Sequence, residues 1–394
     1  MEQRSFSGKS QWYHETQSSQ SLTNVQPLVP EAAQVDDRFL LDLKVSDQHP
    51  GLEASWLSIA RALSSILLPE QIETNRLHTL SLYERLSTAL TVAQVFGVQR
   101  LCNHYAARLA PESSSDSSRE TNRRLTQITQ FSRMLASQPT SISDISLSQL
   151  DECGLSVEDI VTFSQLIGFI GFQARTLAVL QALQRLPIRQ LPGITGQQDA
   201  DAAIFSRHAV VWQSNLTPVE RGYASAEQIQ AVEKGLASPV LCDLSDLLAF
   251  DALILKNLEQ LTHQFWPTAL VLSDDDLLVM MLVSRINGSP ACFSDAAAKW
   301  QGEHGLPDAI RNGERALHAW SHNHPRERAI IQAVQLLTRT PEKFSYAQLT
   351  PLFEQGFTEQ QAVQLLVSSG LEGWLNRLKI GLGHTLKEPK TLPV

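Results

Sequence analysis

Apolar and polar positions alternate along most of this chain with the period of a helix. Leu82, Leu86, Ala89, Leu90, Ala93 and Phe96 fall at offsets 0, 4, 7, 8, 11 and 14, which draws one stripe along a helix face. Leu277, Leu278, Met281 and Leu282 continue in the same manner. Strand signals are weak; "HAVVWQ" (His208–Gln213) is the best candidate and stands alone. Two polar stretches interrupt the pattern. "PESSSDSSRE" (Pro111–Glu120) has too little apolar matter to pack and reads as a loop. "LPGITGQQDADAA" (Leu191–Ala203) reads as the boundary between two domains. The pattern predicts an all-α fold. An N-terminal arm over residues 1–50 carries "DRFLLDLKV" and wraps the first domain, at 51–190. A linker and lead-in follow at 191–240, and the second domain spans 241–394.

An internal repeat underlies this division. "CGLSVEDIVTFSQLIGFIGFQARTL" (Cys153–Leu177) aligns without gaps with "QGFTEQQAVQLLVSSGLEGWLNRLK" (Gln355–Lys379). Gly154 meets Gly356, Gly168 meets Gly370, Gly171 meets Gly373 and Arg175 meets Arg377, a constant offset of 202 residues. Ser156 and Thr358 are N-cap residues, followed three positions later by Asp159 and Gln361 in capping-box fashion. Glycine inside a helix costs about 1 kcal/mol against alanine, so it is kept where another backbone must come close. Each copy is therefore expected to hold a tightly crossed helix pair, with Phe172 or Trp374 wedged beside the crossing. Arg175 and Arg377 are expected to cap a neighbouring helix end or to pair with a carboxylate. Upstream, each copy runs an apolar helix towards a cysteine. Cys102 to Gly154 is 52 residues and Cys292 to Gly356 is 64, so the second copy carries about twelve extra residues, placed near "HAWSHNHPRE" (His318–Glu327).

Charge narrows the function. Against 41 acidic residues stand 32 basic ones, a net charge of −9, and no Lys/Arg cluster offers the basic face that nucleic acid requires. The longest uncharged helical run, Ile160–Ala174, is shorter than the roughly 20 residues of a bilayer span. The N-terminus lacks an apolar signal core, so a cytoplasmic protein is expected. Cys102, Cys153, Cys242 and Cys292 are far apart and form no CxxC, which suggests neither a disulfide framework nor a zinc ribbon. Cys153 and Cys242 read as small buried apolar residues. His318, His322 and His324 have helical metal-ligand spacing but no carboxylate beside them, and they read as surface residues. No metal or cofactor is expected.

The sequence "RINGSPACFSDAA" (Arg285–Ala297) has the look of a helix opening on a thiol, with Ser289 two intervening residues before Cys292. Together with the repeated "GLS-x-E-x-I…GF-x-x-x-R" pattern, this resembles the AhpD-like, carboxymuconolactone decarboxylase superfamily, present as two tandem helical domains over residues 55–185 and 245–390. The resemblance implies a thiol peroxidase. In that family a cysteine pair sits at a helix start, where the amide dipoles favour the thiolate. The second cysteine attacks peroxide, the first resolves the sulfenic acid, and a downstream His and an upstream Glu move protons. Carried across, Cys292 stands at the second-cysteine position with Ser289 at the first, and Cys102 stands there with Gln99 at the first. The histidine position falls at Asp295 or Ala296, and at Tyr105 or Ala106 with His104 close by. The upstream acid has candidates in Glu84 and Asp276. Three readings stay open: a one-cysteine thiol oxidoreductase taking a small hydroperoxide and an external thiol reductant; a degenerate scaffold for assembly or ligand binding; and acid–base chemistry of the decarboxylase type through Glu84 and His104. Homo-oligomerisation is implied by the family.

Overall fold

The computed structural model describes residues 32–44, 55–112, 118–188, 196–206, 210–268 and 271–387. It is mostly helical, with one two-stranded sheet among the described residues. The first copy runs α1 (Ser55–Leu67), α2 (Leu82–Phe96), α3 (Gln99–Leu109), α4 (Arg119–Ser137), α5 (Asp144–Glu152) and α6 (Val157–Leu183). β1 (Val210–Ser214), α7 (Ala226–Ala237) and the short α8 (Ser245–Leu248) lead into the second: α9 (Ala252–Phe265), α10 (Asp274–Asn287), α11 (Pro290–Lys299), α12 (Leu306–Asn312), α13 (Glu314–Ser321), α14 (Pro325–Arg339), α15 (Tyr346–Glu354) and α16 (Glu359–Leu382). The chain closes with β2 (Gly383–Lys387).

Local chemistry repeats with the elements. Ser81 and Ser273 start α2 and α10 with capping boxes completed by Glu84 and Asp276. Both helices end on a glycine in the left-handed region, Gly97 (φ 67°) and Gly288 (φ 85°). Ser156 and Thr358 open α6 and α16 with the capping boxes expected of them. The extra residues of the second copy fold as α12 and α13 between α11 and α14. His318 and His322 are exposed there, while His324 stacks on Trp320 with ring centroids 3.9 Å apart.

The glycine-bearing helices do cross closely: Gly171 and Gly373 face Phe96 and Val283 within their own copies, while Gly168 and Gly370 mark a crossing that joins the two copies. α6 packs along α16, and α1 packs on α9. A Cβ on Gly168 would lie 2.0 Å from Trp374 Cδ1, and one on Gly370 would lie 3.4 Å from Phe172 Cδ2. Each helix therefore accepts the other's large aromatic ring. The Trp374 indole donates to Gln165 Oε1 across the crossing at 2.9 Å. The two arginines extend the same pseudo-twofold relation. Arg175 donates to Gly171 O at 3.0 Å and to Thr338 O at 2.7 Å. Arg377 donates to Gly373 O at 2.9 Å and to Ala136 O at 3.0 Å. Each guanidinium thus caps the last turn of α14 or α4 in the opposite copy, where free carbonyls and the helix dipole favour a cation. Both also face the Phe96 ring, at 4.5 and 5.4 Å. Burial lowers the Arg377 pKa to about 10, which leaves it charged at neutral pH.

The core is continuous across both copies. By length and composition α6 is the one described helix able to cross a membrane, yet 94 % of its most apolar stretch is buried inside the protein. It serves as a core helix. Of the arm, residues 32–44 lie against the first copy: Phe39 and Leu40 are buried, and Gln173 donates to the Arg38 and Phe39 carbonyls. Of the expected domain boundary, residues 191–195 lie outside the described residues, and 196–203 form a strap over the second copy. Asp199 pairs with Arg339 at 2.7 Å, and Ala200 N–H donates to Ile286 O at 3.1 Å. The lone strand signal finds its partner at the other end of the chain, with Trp212 opposite Thr385 in an antiparallel pair.

Candidate functional site

The sequence-predicted residues do not share one site. Glu84 occupies the first turn of α2. There it accepts from Ser81 N–H at 2.9 Å and pairs with Arg124 at 2.6 Å. Cys102 and His104 lie on α3, which follows α2 and packs on it. Glu84 is engaged as a helix cap and an arginine partner. His104 is buried, with Nδ1 2.8 Å from Ala32 O, and burial lowers its pKa to about 4 despite that hydrogen bond. Cys102 is packed in the core, 8 % exposed, and burial pushes its thiol up to about 12. Nor does it match Cys292 in register. Cys102 stands five residues after the left-handed Gly97, whereas Cys292 stands four after Gly288. One residue turns a helix by about 100°, so the position of Cys292 is held in the first copy by Leu101. Ser289 is the N-cap residue of α11 and Gln99 the first residue of α3, one step out of register in the same way.

Cys292 has different company. It lines a cavity of about 30 Å³ with Glu372, Lys379, Asp295, Met280 and Leu375. That volume holds one or two water-sized molecules. Ser289, buried behind it, hydrogen-bonds the thiol. Although the residue is partly exposed, burial of the sulfur pushes the thiol up to about 12, against the pull of the Lys379 ammonium. Lys379 is 5 % exposed; its Nζ lies 2.8 Å from Asp243 and 3.7 Å from Asp295. Burial disfavours its charge, but Cys292 and the two carboxylates outweigh burial and hold its pKa above the usual value.

Glu372 is the group the sequence reading missed. It is 3 % exposed and accepts from Ser284 at 3.1 Å and from Asn376 at 2.6 Å. Burial raises its pKa to about 7, held back by these two hydrogen bonds and by Lys379. Behind it runs a directed chain of hydrogen bonds. Arg377 donates to Gln197 Oε1 at 3.2 Å, Gln197 to Asn287 Oδ1 at 2.9 Å, Asn287 to Asn376 Oδ1 at 3.0 Å, and Asn376 to Glu372. A guanidinium can only donate, so every amide in the chain is oriented towards the carboxylate. A signal for this site exists in the sequence: Glu372, Asn376 and Lys379 recur at i, i+4 and i+7 on a helix whose aligned copy carries Ile170, Ala174 and Leu177.

Cys153 and Cys242 are partly buried, and all four cysteines are free. Cys242 is not merely apolar packing, because its thiol lies 3.7 Å from Asp243, the carboxylate that pairs with Lys379. No group of three or more metal-ligating side chains occurs among the described residues. A larger cleft of about 640 Å³ opens beside α3, with His104 in its wall. No protein-family model and no curated protein sequence matches this chain.

Proposed function

We propose that the chain is a duplicated AhpD-like protein of the cytoplasm whose second copy is a one-cysteine thiol peroxidase, with Cys292 as the nucleophile and Glu372 as its base. The observation that carries this reading is the shared cavity: thiol, carboxyl and ammonium line a space sized for water or a very small hydroperoxide. A carboxyl with a pKa of about 7 is poised to exchange protons at neutral pH. The resting thiol is protonated. As peroxide enters, Glu372 takes the thiol proton and the sulfur attacks the peroxide oxygen. The O–O bond breaks and leaves a sulfenic acid on Cys292, while the departing oxygen takes the proton from Glu372 and leaves as water or an alcohol. Ser289 cannot resolve the sulfenic acid, so an external thiol does. One equivalent forms a mixed disulfide and releases water; a second displaces Cys292 and leaves as the oxidised disulfide. Lys379 offsets negative charge on the sulfur.

One observation favours the scaffold reading instead. A thiol at about 12 is on the order of 10⁻⁵ ionised at pH 7, which makes unassisted attack slow. Trapping with dimedone separates the two. On folded protein under mild peroxide, the peroxidase reading requires a mass adduct at Cys292 that grows with pH through about 7 as Glu372 ionises. Absence of any adduct there leaves a scaffold, its two copies forming an intramolecular pseudo-dimer able to assemble further.

A further inference from the structure

The first copy lacks the thiol–carboxyl–ammonium group of the second, but it has an open cleft. The cleft of about 640 Å³ falls within the range of small-molecule sites. Four separate pieces of chain build it: the arm at Ala32–Asp42, the start of α3 at Gly97–His104, the end of α6 with Ala178 and Ala182, and the turn Pro341–Phe344 from the second copy. At the matching place in the second copy, Gly288 is covered. A Cβ there would lie 2.1 Å from Thr140 Cγ2 and 2.9 Å from Ala200 Cβ. Its counterpart Gly97 lines the open cleft.

Two polar groups of the wall lack a partner. His104 Nε2 and Glu342 Oε1 are buried and make no hydrogen bond. Such atoms are rare in folded proteins, because each unmet hydrogen bond is costly. The tautomer of His104 follows from its other nitrogen: Ala32 O can only accept, so Nδ1 carries the proton and Nε2 is a bare acceptor. Burial keeps the imidazole neutral and raises the Glu342 carboxyl. The remaining wall is mixed: Val35, Leu41, Val98, Leu186 and Phe344 give it apolar faces, and the amides of Gln34, Gln99, Asn103 and Gln181 stand among them. Charges of both signs line the wall, Asp42 and Glu342 with Arg100, so it presents no single-signed face to select an ion.

We propose that this cleft binds a small neutral molecule with an apolar body and one hydroxyl group, a phenol or a medium-chain alcohol, whose hydroxyl donates to His104 Nε2. The site is independent of the thiol chemistry of the second copy; Cys102 lies in the core instead.

Fluorine NMR of 4-fluorophenol with the full chain tests it. Saturable broadening is expected, with fluorobenzene, which lacks the hydroxyl, binding about tenfold more weakly, as loss of one hydrogen bond implies. Displacement by 1-hexanol, but not by hexanoate or hexylamine, is expected in the unaltered protein. His104→Phe should reduce the phenol to the affinity of fluorobenzene, and Ala182→Phe, which fills the cleft, should abolish binding. Equal affinity for phenol and fluorobenzene, displacement by the charged chains as readily as by the alcohol, or no binding of 4-fluorophenol would each overturn the proposal. If the Ala182 variant fails to fold, the displacement series on the unaltered protein still decides.

Discussion

The two copies share a frame, and at six of the interior positions where they differ the second copy sets a polar or sulfur-bearing side chain in place of hydrocarbon. Counted from Gly97 and Gly288, and along the aligned α6 and α16, Ala93 faces Ser284, Phe96 faces Asn287 and Leu101 faces Cys292. Ile170 then faces Glu372, Ala174 faces Asn376 and Leu177 faces Lys379. All six residues of the first copy are buried hydrocarbon. Their counterparts form the thiol–carboxyl–ammonium site and the amide chain behind it. What both copies keep are the parts that hold them together: the glycines at the crossing, the capping boxes and the paired arginines. A buried carboxyl is costly unless it is solvated by fixed partners. Buried carboxyls with fixed partners occur in both copies, Asp159 in the first and Glu372 in the second, but only Glu372 shares a cavity with a thiol and an ammonium, and the proposed chemistry rests on that difference.

The largest expected effect comes from removing the base. Glu372→Gln should slow adduct formation at Cys292 by about 100-fold or more, the usual contribution of a positioned general base. Mass spectrometry of the dimedone product measures it. Next in size is the transplant of a single polar group into the first copy. Ile170→Glu buries a carboxyl with neither a serine nor a lysine opposite it, and denaturant unfolding should show a loss of about 3–5 kcal/mol.

Third is the pH dependence of stability. The Glu372 pKa is about 7 in the folded protein against an ordinary 4.5, so the folded state binds this proton more tightly. The resulting stabilisation is complete below about pH 4.5 and is lost as pH rises through about 7, on the order of 3 kcal/mol in total. Glu372→Gln should remove that slope, and an unchanged slope would place the titrating group elsewhere. The smallest effect belongs to the strap. Gln197→Leu cuts the amide chain between Arg377 and Asn287, and it should cost about 1 kcal/mol and move the Glu372 titration upward. Carboxyl-labelled NMR of Glu372 reads that shift directly.

Much of this frame was legible in the sequence because it is written in local chemistry. Capping residues, left-handed glycines and helical periodicity act within a few positions, and they recur at one offset. What lay out of reach was which helix met which. Gly168 and Gly171 announced close approaches, but a glycine names no partner: Gly168 meets Trp374 of the other copy's α16, and Gly171 meets Phe96 of its own copy's α2. The strand at Val210–Ser214 waited on residues at the far end of the chain for the same reason. The site was missed through attention to likeness. Aligning the copies drew the eye to matched glycines and to the cysteines, whereas the chemistry lies in the unmatched columns, at Glu372, Asn376 and Lys379. Cys102 misled because two lone cysteines at near-equal spacing read as equivalents, and a one-residue slip on a helix turned one of them into the core.

The most direct measurement is a competition within a single molecule. Both thiols are exposed to the same peroxide and the same trap, and the adducts at Cys292 and Cys102 are quantified in one digest from pH 5 to pH 9. Labelling at Cys292 alone is expected, rising through about pH 7 and flattened by Glu372→Gln. Equal labelling of the two cysteines, or labelling of Cys102 first, would contradict it.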